Sequence, residues 1–132
     1  MKVLVTGHGG FASGMAAASR MIVGDQELID WLPFEEGINL SDYQAQIAAR
    51  VERHGEEGLL ILTDFKGGTP FNVSMLLSQG HPQVAVLAGT NLAMILEAID
   101  QAPTASSVTN LADHLVVIGR QGLLKGVLQA RN

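Results

Sequence analysis

Short runs of aliphatic and β-branched residues alternate along the chain with stretches in which apolar residues recur every three or four positions. Lys2–Thr6 (KVLVT) is the first such run, and it stops at Gly7. Phe11, Met15, Ala18 and Ile22 then step by four, three and four, the stripe of an amphipathic helix that Ser13 is expected to cap and Gly24 to end. Glu27–Trp31 reads as a second strand stopped by Pro33. Ser41 opens Ser-Asp-Tyr-Gln, a capping box with Gln44, and predicts a helix that runs to Arg53 and ends near Gly55. Leu59–Thr63 (LLILT) has no polar residue before its last position, so it is expected to be a central strand buried on both faces. Thr69-Pro70 reads as an N-cap followed by Pro at the first helical position, and that helix should end near Ser78. Val84–Leu87 is a fourth strand, Asn91 caps a helix over Leu92–Ile99, and Pro103 breaks the chain. Between Ala105 and Gly119 two signals compete. Val108, Leu111 and Leu115 lie at helical spacing, whereas Val116-Val117-Ile118 favour a strand. The reading adopted is a helix with a frayed end, followed by a short edge strand over Leu123–Gln129.

Strands that alternate with helices imply parallel β-α-β units with right-handed crossovers. The expected fold is therefore α/β, an open and mainly parallel sheet with helices on both faces, in the flavodoxin-like order 2-1-3-4. In such sheets sites form beyond the carboxyl ends of the strands where the order reverses, here between the first and third strands. The 132 residues suit one domain, 1–132. A composition that is 47% hydrophobic and 16% charged excludes disorder. The absence of Cys removes disulfides, thiolate metal sites and a cysteine nucleophile. A net charge of −5 without a Lys/Arg cluster argues against nucleic acid as a partner. The chain shows no leader-like start and no apolar run near ~18 residues, so a cytoplasmic protein without membrane insertion is expected.

The two loops at the predicted switch point carry the candidate chemistry. After the first strand stands Gly7-His8-Gly9-Gly10, and after the third Asp64-Phe65-Lys66-Gly67-Gly68-Thr69, leading into Pro70-Phe71-Asn72. Imidazole titrates near neutrality and is a competent nucleophile, and flanking glycines let a large partner come close. A carboxylate that accepts from Nδ1–H fixes the tautomer and presents Nε2 as the attacking lone pair. Asp64 is the candidate for that role. A lone His in such a turn is more often a plain turn residue, and only the pairing with Asp64 at a switch point tips the balance. The Gly67-Gly68-Thr69 turn has two readings, an ordinary strand-to-helix connection or an anion cradle of backbone amides at a helix N-terminus, and local chemistry does not choose between them. In the cradle reading Gly9, Gly67, Gly68 and Phe71 bind a phosphoryl group and the Thr69 hydroxyl bonds one of its oxygens. The turn lacks the Gly-Lys-Ser/Thr ending of a P-loop. An acyl-phosphate receiver needs an acidic pair after the first strand, and Gly7-His8-Gly9-Gly10 offers none. His54, His81 and His114 are scattered without ligand spacing, so no metal and no cofactor is expected. At the crevice rim Phe11, Phe65 and Lys66 are candidate partner-docking residues, while Met15 belongs with the core.

These residues resemble a known family. Gly7-His8-Gly9, Leu62-Thr63-Asp64 and Gly67-Gly68-Thr69-Pro70-Phe71-Asn72 are similar to motifs of the mannose-family enzyme IIA of the bacterial phosphoenolpyruvate:sugar phosphotransferase system (PTS). The last hexapeptide arises by chance roughly once in 10⁷ positions. Ala88–Met94 and Gly119–Gly122 resemble further family segments. The resemblance implies a phosphotransferase in which His8 accepts a phosphoryl group, on Nε2, from the phosphocarrier HPr. His8 then passes it to an enzyme IIB component, and membrane IIC and IID components take part indirectly in sugar uptake. It implies that Asp64 orients His8 and that Thr69 hydrogen-bonds in the site. It also implies a homodimer that exchanges an antiparallel edge strand, for which Leu123–Gln129 is the available segment. The chain departs from the pattern at Lys66, where several members have an uncharged residue, and at Ala93, where Pro is frequent. The alternative is a regulatory or dihydroxyacetone-kinase-linked IIA-like interaction module that uses the same crevice. The sugar itself is not legible.

Overall fold

The four apolar runs become four parallel strands in a computed structural model that describes residues 1–130. Along the chain the elements are β1 (Lys2–His8), α1 (Phe11–Val23), β2 (Ile29–Phe34), α2 (Leu40–His54), β3 (Leu59–Thr63), α3 (Thr69–Leu77), β4 (Val84–Leu87), α4 (Leu92–Gln101), a 3₁₀ turn (Ala102–Thr104) and α5 (Val108–Gln121). The sheet order is β2-β1-β3-β4, as expected, with every pair parallel. All five residues of β3 are buried, which is why its run carries no alternation.

Two cores flank the sheet, split by strand parity. Val3, Val5, Leu60 and Leu62 point to the side covered by α1, α4 and α5, where Ile95, Leu111 and Leu115 pack. Leu4, Leu59 and Ile61 point to the other side, against Tyr43 and Ile47 of α2 and Val73 of α3. His8 shares the parity of Leu4 and Thr6. It therefore leaves the end of β1 on the α2/α3 side.

Several boundaries differ from expectation. Glycine begins α1: Gly10 is the N-cap, and Ser13 bonds back to the Gly10 carbonyl instead of capping. Asn39, two residues before Ser41, caps α2 by accepting from the Asp42 amide. Gly68 precedes α3, so Thr69 is already helical. Pro33 lies inside β2 and does not stop it. The Phe34 carbonyl accepts from the Gly9 amide, so even-numbered residues of β2 bond β1, and Pro33 faces the open edge where no N–H is needed. Packing of Val108, Leu111 and Leu115 outweighs the strand preference of Val116–Ile118, and α5 is continuous to Gln121. The expected edge strand over Leu123–Gln129 is not formed within this chain: the segment has no secondary structure and is exposed throughout.

Candidate active site

The pairing register of β1 with β3 brings Thr6 opposite Thr63, so the loops that follow these residues start side by side. His8 and Asp64, 56 positions apart, meet there. His8 Nδ1 lies 2.8 Å from Asp64 Oδ2, and the His8 backbone N–H donates to the same oxygen at 2.9 Å. Two donors on one carboxylate oxygen fix both the backbone and the ring of His8. Nδ1 is occupied as the donor, which leaves the lone pair on Nε2. The His8 side chain is 48% exposed and that of Asp64 14%. The nucleophile is open to a partner while its orienting carboxylate is sheltered.

Glycines make this meeting possible. A Cβ on Gly68 would lie 2.6 Å from His8 Cε1, and one on Gly7 would lie 2.9 Å from Asp64 Cγ and 2.5 Å from Phe11 Cδ1. Gly9 has φ +53° and turns the chain from β1 into α1.

Two helices begin at the ring. α1 starts three residues after His8, and α3 starts directly after Gly68, whose backbone touches the imidazole. Neither has a side-chain cap, in contrast to α2, α4 and α5, which are capped by Asn39, Asn91 and Ser107. The first-turn amides of α1 and α3 thus keep no side-chain acceptor, and each helix end adds partial positive charge beside Nε2. Pro70 contributes no N–H, and Asn72 turns inward to its own loop by donating from Nδ2 to the Gly67 carbonyl at 2.9 Å. An anion of phosphoryl size suits such a corner.

Of the other expected residues, Gly67 holds φ +82° in the loop, and Thr69 and Phe71, both half-buried, lie in the first turn of α3. Phe65 (67% exposed) and Lys66 stand on the rim. Phe11 is half-buried and packs on the α1-side core together with Met15. His114 also meets a carboxylate, Glu97 at 2.8 Å, but from mid-helix on α5, away from any helix N-terminus.

One set of residues went unread in the sequence. Phe34 stands opposite His8 in the β1–β2 register, and its ring meets the imidazole edge-on, with centroids 5.7 Å apart and planes at 84°. Tyr43 packs on Phe34 at 4.6 Å and shares a 2.6 Å hydrogen bond with Thr6. Burial pushes the Tyr43 phenol up from 10.0 to about 12, against the lowering effect of the Thr6 bond. Stopping the second strand at Pro33 leaves Phe34 outside it, and only the parallel register with β1 sets Phe34 against His8.

The chain is similar to proteins of known family. Residues 2–116 match the EIIA-man family model, described as PTS system fructose IIA component. The PTS system sorbose-specific EIIA component of Klebsiella pneumoniae is 31% identical over 114 residues, covering 86% of this chain and 83% of that protein. The PTS system mannose-specific EIIAB component of Escherichia coli is 29% identical over 125 residues, and this chain spans only 38% of its length. Among solved structures, the mannose/sorbose specific IIA subunit of the phosphotransferase system from Enterococcus faecalis superposes with a TM-score of 0.84. It is 36% identical and is matched over 99% of this chain and 98% of that one.

Proposed function

This chain belongs to the EIIA-man family of PTS IIA components, and from that membership we propose that it is a phosphoryl carrier of a sugar-uptake phosphotransferase system, with His8 as the carrier residue. The observation that supports this reading best is the 2.8 Å pair between His8 Nδ1 and the sheltered Asp64 carboxylate, which leaves Nε2 as the free nitrogen.

In the proposed step the Nε2 lone pair attacks phosphorus on phospho-HPr. The Nε2–P bond forms as the P–N bond of the donor breaks, and the electron pair leaves with the donor's imidazole. The His8 ring, substituted on Nε2 and protonated on Nδ1, becomes cationic, and the Asp64 carboxylate stabilises that charge. The phosphoryl oxygens meet the uncapped first turns of α1 and α3, with the Gly9 and Gly67-Gly68 turns around them and the Thr69 hydroxyl as a further donor. Phe65 and Lys66 on the rim, with Phe11 beneath it, suit an approaching protein donor. The reverse chemistry delivers the group to an enzyme IIB component on the cytoplasmic side of IIC and IID membrane components. Two copies of the chain exchange their C-terminal segments as an antiparallel edge strand in this reading.

Incubation with labelled phosphoenolpyruvate, enzyme I and HPr should give an acid-labile, alkali-stable phosphoryl group on the protein, and His8→Ala should abolish it. Label retained by that variant would remove His8 from the mechanism. Asp64→Asn, which keeps the shape and loses the charge, should slow transfer by roughly 10²-fold or more.

A further inference from the structure

The bond to Asp64 holds one corner of the His8 imidazole. A ring that is half exposed and tethered at one atom can still rock about that atom, and transfer to an incoming phosphorus demands that Nε2 point along one line. Two more contacts restrict the ring. Gly68 lies so close that a Cβ there would meet Cε1 at 2.6 Å. Phe34 meets the imidazole edge-on at 5.7 Å, a T-shaped arrangement favoured by the ring quadrupoles.

Phe34 is itself anchored. Its carbonyl accepts from the Gly9 amide, which ties it to the backbone directly after His8. Its ring tilts at 58° against Tyr43, which is fully buried. Tyr43 is fixed in turn by the 2.6 Å bond to Thr6, a buried residue of β1 two positions before His8. The chain of contacts runs from the floor of the α2-side core to the nucleophile and returns to the strand that carries it.

We propose that Phe34, backed by Tyr43 and Thr6, is a positioning residue that holds the His8 imidazole in the orientation for phosphoryl transfer. The proposal deepens the reading of His8 as the phosphoryl acceptor and rests on it. Phe34 touches neither HPr nor the phosphoryl group in this scheme. It acts through His8, so removing its ring should lower the turnover of the bound complex and leave the affinity for HPr unchanged.

The test uses Phe34→Leu, which keeps apolar bulk and a foldable strand end, and Phe34→Tyr, which keeps the ring. Imidazole ¹⁵N spectra of the unphosphorylated proteins report the His8 tautomer without any transfer. Wild type and Phe34→Tyr should show one tautomer protonated on Nδ1, and Phe34→Leu should show averaging between two. In transfer from HPr, Phe34→Leu should lose about tenfold in kcat with KM for HPr changed less than twofold, and Phe34→Tyr should recover most of the loss. Wild-type tautomer shifts and wild-type kcat in Phe34→Leu overturn the proposal. A rise in KM with kcat intact also overturns it, because Phe34 would then be a docking contact. If the wild type takes no label, the acceptor reading fails, and the tautomer spectra alone decide whether Phe34 orders the ring.

Discussion

Two glycines separate the stability of this site from its chemistry. At Gly68 the backbone (φ −75°, ψ 165°) is open to any residue, and an added methyl would strike the half-exposed imidazole at 2.6 Å and sit close to the Phe65 carbonyl oxygen at 3.3 Å. Gly68→Ala should therefore leave thermal stability within about 0.5 kcal/mol of wild type and cut the transfer rate more than tenfold. At Gly7, which is buried, the methyl would press on Asp64 and Phe11 together, so Gly7→Ala should cost about 1–3 kcal/mol as well as activity. Thermal melts paired with labelling rates distinguish the two. Tyr43 supplies a pH signature. Its phenol is raised to about 12, so the folded chain holds that proton more tightly than the unfolded one. The resulting stability is complete below pH 10 and is lost as the pH climbs towards 12. As the sole tyrosine, Tyr43 is read directly from phenolate absorbance. Tyr43→Phe should lose about 1–3 kcal/mol at neutral pH, because the buried Thr6 hydroxyl loses its partner, and should show a flatter decline between pH 10 and 12. His8 and Asp64 were legible because a reactive side chain among glycines is conspicuous in sequence. Phe34 was not, because nothing local to it signals that parallel register will set it against a histidine 26 positions earlier.

The helices divide into two kinds by how they begin. α2, α4 and α5 start with an Asn or Ser side chain that accepts from a first-turn amide, at 3.2, 3.1 and 3.0 Å. α1 and α3 start with glycine, and both of them begin at the His8 ring. The capped ends serve stability, and the bare ends suit an anion. Asn39→Ala should accordingly cost about 1 kcal/mol in denaturant unfolding and leave the rate of phosphoryl transfer unchanged. On phosphorylation of His8 the amide resonances of Ala12, Ser13 and Phe71 should move further than those in the first turns of α2 and α5. Equal movement at capped and uncapped ends would remove the cradle from the mechanism. The same distinction explains what the sequence revealed of each element. Asn91 stands directly before the apolar period of α4 and caps it as expected. Near α2, Asn39 and Ser41 are both good caps, and Ser41 with Gln44 completes a box that the chain does not use. At α1 and α3 the sequence suggests Ser13 and Thr69 because a hydroxyl is the usual cap, whereas both helices begin at glycine with no side-chain cap.

Seen as a whole, the subunit exposes more surface than its mass requires. A folded chain of 14.0 kDa is expected to expose about 6,700 Å², and this one exposes 7929 Å². The excess has an evident source. Residues 123–130 have no secondary structure, and Leu123, Leu124, Val127 and Leu128 are 75–98% exposed. Four large aliphatic side chains on one short segment are costly in water, at about 25 cal/mol per Å² of apolar surface. Beside the root of this segment, β4 has β3 on one side and, among the described residues, no strand on the other, so a row of its backbone groups is open. A groove of about 430 Å³, lined by Ala88, Met94, Val116 and Leu123, adjoins the end of β4. An exposed apolar segment and an open strand edge on one molecule suit exchange with a second copy. Parity and period make the four parallel strands legible in one chain, whereas Leu123–Gln129 finds no partner strand within it. A stop after Gly122 should therefore convert a species of twice the chain mass into one with the mass of a single truncated chain by sedimentation velocity. His8 labelling should persist in the truncated chain, since His8, Asp64 and both bare helix starts lie before residue 123. A truncated chain that still sediments at the doubled mass would show that the pairing surface lies elsewhere, on the helices and not on the tail.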